Sequence, residues 1–277
     1  MTQSTRLRGG DHETIGEIAT LAEGSAAIAI SRGGAAKTYR YRHRNEDVVG
    51  FVHGSAGSLA VVADGHGGRQ AAELALAFAL DELAPRWIEV EVGDLKGRFD
   101  AEARGAAVEL HRAILRAALE AAPQPCRTTV SVALVRPGEG WFGHWSVGDS
   151  HVFEVRDDAA HEPCAVAQAR VCYLGDAATT NEALADGVRV AVCAADATRC
   201  LVLATDGLSE AGIGVADPPA AIRQAVAEAS TRPLDLRPLE TARAVVLRAL
   251  ASHGERRAGD NIATAVLWLE DLADPDG

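Results

Sequence analysis

Four aspartates stand beside a glycine at the edge of an apolar, strand-like run. They are Asp64 in Val61-Val62-Ala63-Asp64-Gly65-His66-Gly67-Gly68, Asp149 in Val147-Gly148-Asp149-Ser150, Asp206 in Leu203-Ala204-Thr205-Asp206-Gly207, and Asp260 in Gly259-Asp260-Asn261-Ile262. A further acidic cluster, Arg42-His43-Arg44-Asn45-Glu46-Asp47, precedes them. Carboxylates distant in sequence converge where strand ends meet, and they then repel unless a cation lies between them. Hard oxygen ligands suit Mg²⁺ or Mn²⁺. One carboxylate can bridge two such ions, which lower the pKa of a shared water and clamp a phosphoryl group during in-line attack. Glycine after Asp64 lets the backbone bend sharply and turn the Gly65 carbonyl toward a ligand. Taken singly, each Asp-Gly is equally well a turn. Their grouping points to a metal-dependent enzyme.

The elements that must position these groups follow from hydrophobic period. Ser25–Ser31, Val48–Val52 and Leu59–Ala63 read as strands, so the chain starts as antiparallel β. Gln70–Leu83 is apolar almost all round and predicts a buried helix. Between Phe99 and Ala121 apolar residues recur at helical spacing, with Glu102, Glu109, Arg112, Arg116 and Glu120 off that stripe. Strands return at Thr129–Val135, Trp141–Val147, Val152–Val155, Ala169–Tyr173, Val188–Cys193 and Cys200–Thr205. Two helices follow, Pro218–Ala229 behind an Asp217 cap and Thr241–Ala251, before a last strand at Ile262–Leu269. The order predicts an α+β fold, two mainly antiparallel sheets with helices on both outer faces. Residues 1–20 are polar and are expected to be loosely held; residues 21–277 read as one domain.

Composition narrows the partners. Lys+Arg 27 against Asp+Glu 39 gives a net charge of -12, which argues against nucleic acid. The five cysteines form no Cys-x-x-Cys pair, so free thiols in a reducing cytoplasm are expected in place of zinc. Residues 1–17 lack a secretory layout, and no apolar run reaches the ~18 residues that span a bilayer. A soluble cytoplasmic monomer without membrane contact is the expectation.

Read together, Arg42-x-x-Asn45-Glu46-Asp47, Asp64-Gly65-His66-Gly67-Gly68, Thr128-Thr129, Gly148-Asp149-Ser150, Thr205-Asp206-Gly207-Leu208 and Gly259-Asp260-Asn261 occur in an order that resembles the metal-dependent protein serine/threonine phosphatases of the 2C type, bacterial members included. The resemblance spans residues 42–269 and implies a four-layer αββα sandwich. It implies two Mn²⁺ or Mg²⁺ ions with a weaker third, and hydrolysis of phosphoserine or phosphothreonine by a metal-bridged hydroxide without a phospho-enzyme. By position it makes Asp64 the bridging ligand and the Gly65 carbonyl a ligand to one ion, with Asp206 and Asp260 completing the other. Glu46 would bind directly or through water, and Asp149 would help hold the third ion. Arg42 would grip the substrate phosphate, with Arg44 as the alternative; His66 would be the general acid, or else orient Asp64. The implied partner is a phosphoprotein that is the target of a cognate Ser/Thr kinase.

The chain departs from the family pattern in three places. Cys126-Arg127 stand where glycine usually precedes the Thr-Thr pair, and His151 follows Gly-Asp-Ser where arginine is common. The usual leucine-threonine-x-aspartate-histidine segment is missing from 170–180, where Tyr173-Leu174-Gly175-Asp176 occurs. These leave the substrate surface open. An idle, regulatory phosphatase-like domain is the alternative function. An aspartyl-nucleophile hydrolase would want Asp-x-Asp, and Asp64-Gly65-His66 lacks it.

Overall fold

The computed structural model describes residues 3–89, 95–120, 126–157, 159–164 and 172–269. In chain order the strands are β1 (Gln3–Arg8), β2 (Ala19–Glu23), β3 (Ala26–Ser31), β4 (Val48–Gly54), β5 (Gly57–Ala63), β6 (Gly65–His66), β7 (Arg127–Thr128), β8 (Val130–Arg136), β9 (Trp141–Val147), β10 (His151–Val155), β11 (Ala160–His161), β12 (Arg189–Ala194), β13 (Cys200–Ala204) and β14 (Ile262–Trp268). One six-stranded sheet runs β1-β4-β5-β8-β9-β12 and the other β11-β10-β13-β14-β3-β2, with antiparallel pairing throughout.

Burial on both faces explains why the central strands are apolar without alternation. In β5, Leu59, Val61 and Ala63 pack toward helices, while Ala60 and Val62 face the other sheet. In β13, Leu201 and Leu203 meet that same inter-sheet core, and Cys200, Val202 and Ala204 face the opposite helical layer. The helices are α1 (Gln70–Ala77), α2 (Ala84–Ile88) and α3 (Leu95–Glu120) on one side, with α4 (Asn181–Gly187) against α3. The other side carries α5 (Pro218–Ala229) and α6 (Arg237–Arg256). The layers are helix, sheet, sheet, helix, as expected.

Details differ from the sequence reading. The N-terminal residues expected to be loose contain β1, which pairs along its length with β4, Leu7 opposite Val49. Backbone pairing is indifferent to polar side chains, and Leu7 alone drops into the inter-sheet core. The Gln70 helix runs on to Ile88 through a widened π turn at Phe78–Leu83, just before Pro85, which has no N–H to offer the Asp81 carbonyl. Of the strand expected at Ala169–Tyr173, residues 169–171 lie outside the described set; Cys172 and Tyr173 are irregular, and Leu174 makes one bridge to Thr128. Among the described residues no helix is long and apolar enough to cross a membrane.

His144 in β9 is buried, and among the described residues neither ring nitrogen has a hydrogen-bond partner. Burial, with Arg189 nearby, holds its pKa down at about 4 against an ordinary 6.5, while Glu162 and Glu154 pull weakly upward. The unfolded chain therefore binds this proton first, so stability present above about pH 6.5 is lost as pH falls toward 4. That loss is roughly 3 kcal/mol when complete. His144→Leu should flatten this part of the profile. The check is urea midpoints at pH 7 and 4.5, where the wild type should lose roughly 2 kcal/mol more than the variant.

Candidate metal centre

The acidic residues meet because the strands that carry them end on one edge of the sandwich. The last residue of β5, Ala63, pairs with Val48, so Glu46 and Asp47 enter beside Asp64 as it leaves. Ala204 at the end of β13 pairs with Thr264 on one side and His151 on the other, which draws the Asp206, Asp260 and Asp149 loops together. Side chains then fasten these loops. Asn261 accepts from the Glu46 N–H at 3.0 Å and donates to the carbonyls of Arg44 (3.0 Å) and Arg32 (3.1 Å). Thr128 Oγ1 donates to the Asp64 carbonyl at 2.7 Å, and the Asp64 N–H donates to Thr129 Oγ1 at 3.3 Å. The Thr128-Thr129 pair thus holds the Asp64 backbone from both sides. Gly65 must be glycine for space, since a Cβ would stand 2.7 Å from the Glu46 carbonyl oxygen.

A cavity of about 440 Å³ opens over this edge. Asp64, Gly65, His66, Glu46, Asp149, Asp206 and Asp260, all singled out from sequence, line it together. Arg42 does not; it is exposed, and its Cδ lies near Gly68 while its backbone N–H donates to Glu46 Oε1 at 3.3 Å. Arg44 is exposed as well, 3.9 Å from Glu13. The wall also holds Lys37, Tyr39, Arg40, Arg127, Tyr173 and Glu210, none of which sequence reasoning assigned to the site. Beneath it Asp47 is buried and accepts a 2.7 Å hydrogen bond from Thr205. Its place beside Glu46 was the one available signal.

The electrostatics are those of crowded, buried acids. Burial, and then mutual repulsion, raises Asp64 and Asp206 well above the carboxylate range; Asp64 feels Asp206, Asp47 and Asp260, and Asp206 feels Asp260, Asp149 and Asp47. Burial raises Asp47 and Glu210 too. Lys37 Nζ lies 2.8 Å from Asp260 Oδ1; burial alone would discharge it, but Asp260, Asp47 and Asp64 outweigh that and keep its pKa above the ordinary value. His66 Nδ1 faces Asp64 Oδ2 at 3.1 Å, which leaves Nε2 as the nitrogen for another partner. Burial lowers its pKa, aided by Arg127 and Lys37 and opposed by Asp149 and Asp260.

Six carboxylates around one cavity are a donor set for hard divalent cations. Asp149 Oδ1 is buried and, among the described residues, has no hydrogen-bond partner, as an oxygen that belongs to a ligand sphere would be. Among the described residues no three His, Cys, Asp or Glu side chains close around a single point. Asp260 gives Oδ1 to Lys37 and to the Asn261 N–H, and Asp64 gives Oδ2 to His66. The residues fit a metal centre by chemistry and location, with oxygens still shared among protein partners.

The sequence profile of the protein phosphatase 2C family matches residues 36–251, a span that includes all the site residues except Asp260. The chain belongs to the protein phosphatase 2C family. Its membership supports protein phosphatase activity. No curated protein sequence matches it. Among solved structures it is similar to the serine/threonine phosphatase Stp1 from Staphylococcus aureus, at 19% identity over 90% of this chain and 96% of that one, with a TM-score of 0.63. It is also similar to serine-threonine phosphatase 2C from Toxoplasma gondii, at 14% identity over 92% of this chain and 99% of that one, with a TM-score of 0.64. The catalytic domain of the serine threonine protein phosphatase PstP, in complex with two manganese ions, is 21% identical over 90% of this chain and 98% of that one, with a TM-score of 0.57. At these identities the structural likenesses speak for the fold.

Proposed function

We propose that this 2C-family protein hydrolyses phosphoserine and phosphothreonine in proteins with the help of two Mn²⁺ or Mg²⁺ ions. The observation that carries the reading is the convergence of Glu46, Asp64, Asp149, Asp206 and Asp260 on one cavity beside His66. Asp64 would be a ligand shared by the two ions, and the Gly65 carbonyl a ligand to one of them. Asp206 and Asp260 would complete the other, Glu46 would bind directly or through water, and Asp149 with Asp206 would help hold a weaker third. When bound, the ions supply Lewis acidity and an activated water for in-line attack on phosphorus. The manganese bound by the similar PstP domain agrees with this.

The chain's own residues do the remaining work. Asp64 keeps His66 oriented through Nδ1, leaving Nε2 to hand a proton to the departing serine or threonine oxygen. The lowered pKa makes the imidazolium a ready donor once the phosphate's charge has drawn a proton onto it. Cationic side chains of the cavity wall, Arg40 and Arg127, receive the phosphoryl oxygens, in place of Arg42, to which the motif points but which lies outside the lining residues. An idle domain is disfavoured, because six crowded acids cost stability when they serve no ion.

The test is phosphate release with Mn²⁺, with and without chelator, on a phosphothreonine peptide and on p-nitrophenyl phosphate. His66→Ala should slow the peptide by ~10²–10⁴-fold, because its alkoxide must be protonated. The nitrophenolate needs little protonation, so that substrate should slow less than about tenfold. Equal slowing of both would remove the general-acid role, and leave only the orienting one.

A further inference from the structure

We infer that Arg127 is the side chain that grips the substrate's phosphoryl oxygens, held ready by Tyr173. The inference rests on the phosphatase reading above and names the anion-binding residue of that site. The geometry is particular to this chain. In the two-stranded ribbon of β6 and β7, Arg127 is the direct cross-strand partner of His66. Its guanidinium carbon lies 4.1 Å from the centre of the Tyr173 ring. The same ring meets His66, with centroids 4.8 Å apart and planes inclined at 51°. Tyr173 is therefore wedged between the arginine and the proposed general acid.

That wedge is anchored from behind. Leu174 exchanges both backbone hydrogen bonds with Thr128, at 2.9 and 3.0 Å, and the Gly175 N–H donates to His111 Nδ1 at 3.0 Å. Thr128 in turn holds the Asp64 carbonyl, so ring, arginine and metal-bridging loop form one unit. Stacking on an aromatic face fixes the guanidinium plane and leaves its N–H edge open for two oxygens. Arg127 is exposed and, among the described residues, makes no side-chain hydrogen bond or ion pair. Its donors are unspent.

The other cations at the cavity are less suited. Lys37 is committed to Asp260 at 2.8 Å. Arg40 lies on an irregular stretch and, among the described residues, stacks on no ring. Arg42 is exposed and outside the lining residues. The departures Cys126-Arg127 and Tyr173-Leu174 thus belong together: one supplies the fork and the other its platform.

The experiment measures kcat and KM for p-nitrophenyl phosphate in Mn²⁺, competitive inhibition by inorganic phosphate, and calorimetric Mn²⁺ affinity. The variants are Arg127→Ala, Arg127→Lys, Tyr173→Leu and Arg42→Ala. Arg127→Ala should raise KM and the phosphate inhibition constant by about tenfold or more, in line with a charged hydrogen bond of roughly 1.5–3 kcal/mol, with Mn²⁺ affinity unchanged. Arg127→Lys should recover less than half of that, because a point charge replaces the fork. Tyr173→Leu should move both constants in the same direction by less, and Arg42→Ala should change them less than threefold. If Arg127→Ala leaves both constants within twofold of wild type, or Arg42→Ala has the larger effect, the inference is overturned. Thermal melts confirm that each variant is folded, and Arg127→Lys decides the matter should the alanine variant fail. A wild type that neither binds Mn²⁺ nor turns over would remove the phosphatase reading beneath it instead.

Discussion

Asp64→Asn should abolish metal-dependent turnover, by at least ~10³-fold, while making the metal-free protein more stable. The two effects share one cause. Asp64 is buried among Asp47, Asp206 and Asp260, and its charged form is disfavoured first by burial and then by those neighbours. A carboxylate with a raised folded pKa binds its proton more tightly in the fold than in the unfolded chain. Stability therefore falls as pH rises from the ordinary carboxylate range through the raised value, and at neutral pH the ionised cluster works against the fold. An amide keeps the shape and removes the charge. The backbone anchors survive the change, because Thr128 and Thr129 bond the Asp64 carbonyl and N–H, not its side chain. In chelator the variant should melt above wild type. In Mn²⁺ the order should reverse: at a hundred times its dissociation constant a ligand stabilises by about 2.7 kcal/mol, roughly 5–10 °C for a chain of this size, and the variant should gain little. A variant that melts lower in chelator, or gains as much from Mn²⁺, would contradict the role given to Asp64.

The second large effect belongs to Gly207. A Cβ there would lie 1.8 Å from the Asn261 carbonyl oxygen and 2.8 Å from its carbon, so Gly207→Ala must push the Asp206 turn away from the Asp260–Asn261 loop. Neither side yields freely. The Gly207 carbonyl accepts from His253 Nε2 at 2.8 Å, and Asn261 ties together the carbonyls of Arg32 and Arg44 and the N–H of Glu46. Overpacking of this kind costs about 1–3 kcal/mol or more. A shift of about 1 Å between Asp206 and Asp260 should cost on the order of 10²-fold in turnover. The control is Gly105→Ala in α3, where an added Cβ meets nothing within 4 Å and should stabilise by about 0.5–1 kcal/mol. Unchanged turnover in Gly207→Ala would mean that the spacing of the two loops does not matter.

The carboxylates were legible in the sequence because each flanks an apolar run, and a run buried on both faces begins and ends where the sheet does. Asp64 after Leu59–Ala63 and Asp206 after Cys200–Ala204 are of this kind. The layers were legible too, since the shift from strand runs to the long Leu95–Glu120 stripe marks the change of element. What the sequence hid was pairing over distance. Lys37, Tyr39 and Arg40 form a polar basic stretch that reads as solvated, yet Lys37 is drawn in by Asp260, 223 residues later. Arg127 meets His66 only through a two-residue ribbon whose strands lie about 60 residues apart. β1 was hidden because a ladder of backbone bonds leaves no mark on polar side chains. His151, an expected departure, bridges Glu162 Oε1 at 2.7 Å and Ser209 Oγ at 2.6 Å, so it stitches the Asp149 strand to the Asp206 turn.

Release of inorganic phosphate from a phosphothreonine peptide, titrated with Mn²⁺, tests the central claim most directly. The claim predicts no release in chelator, release that saturates with Mn²⁺, and loss of that response in both Asp64→Asn and Asp206→Asn. Release that survives chelation, or a folded wild type that binds Mn²⁺ by calorimetry and still leaves the peptide phosphorylated, would contradict it.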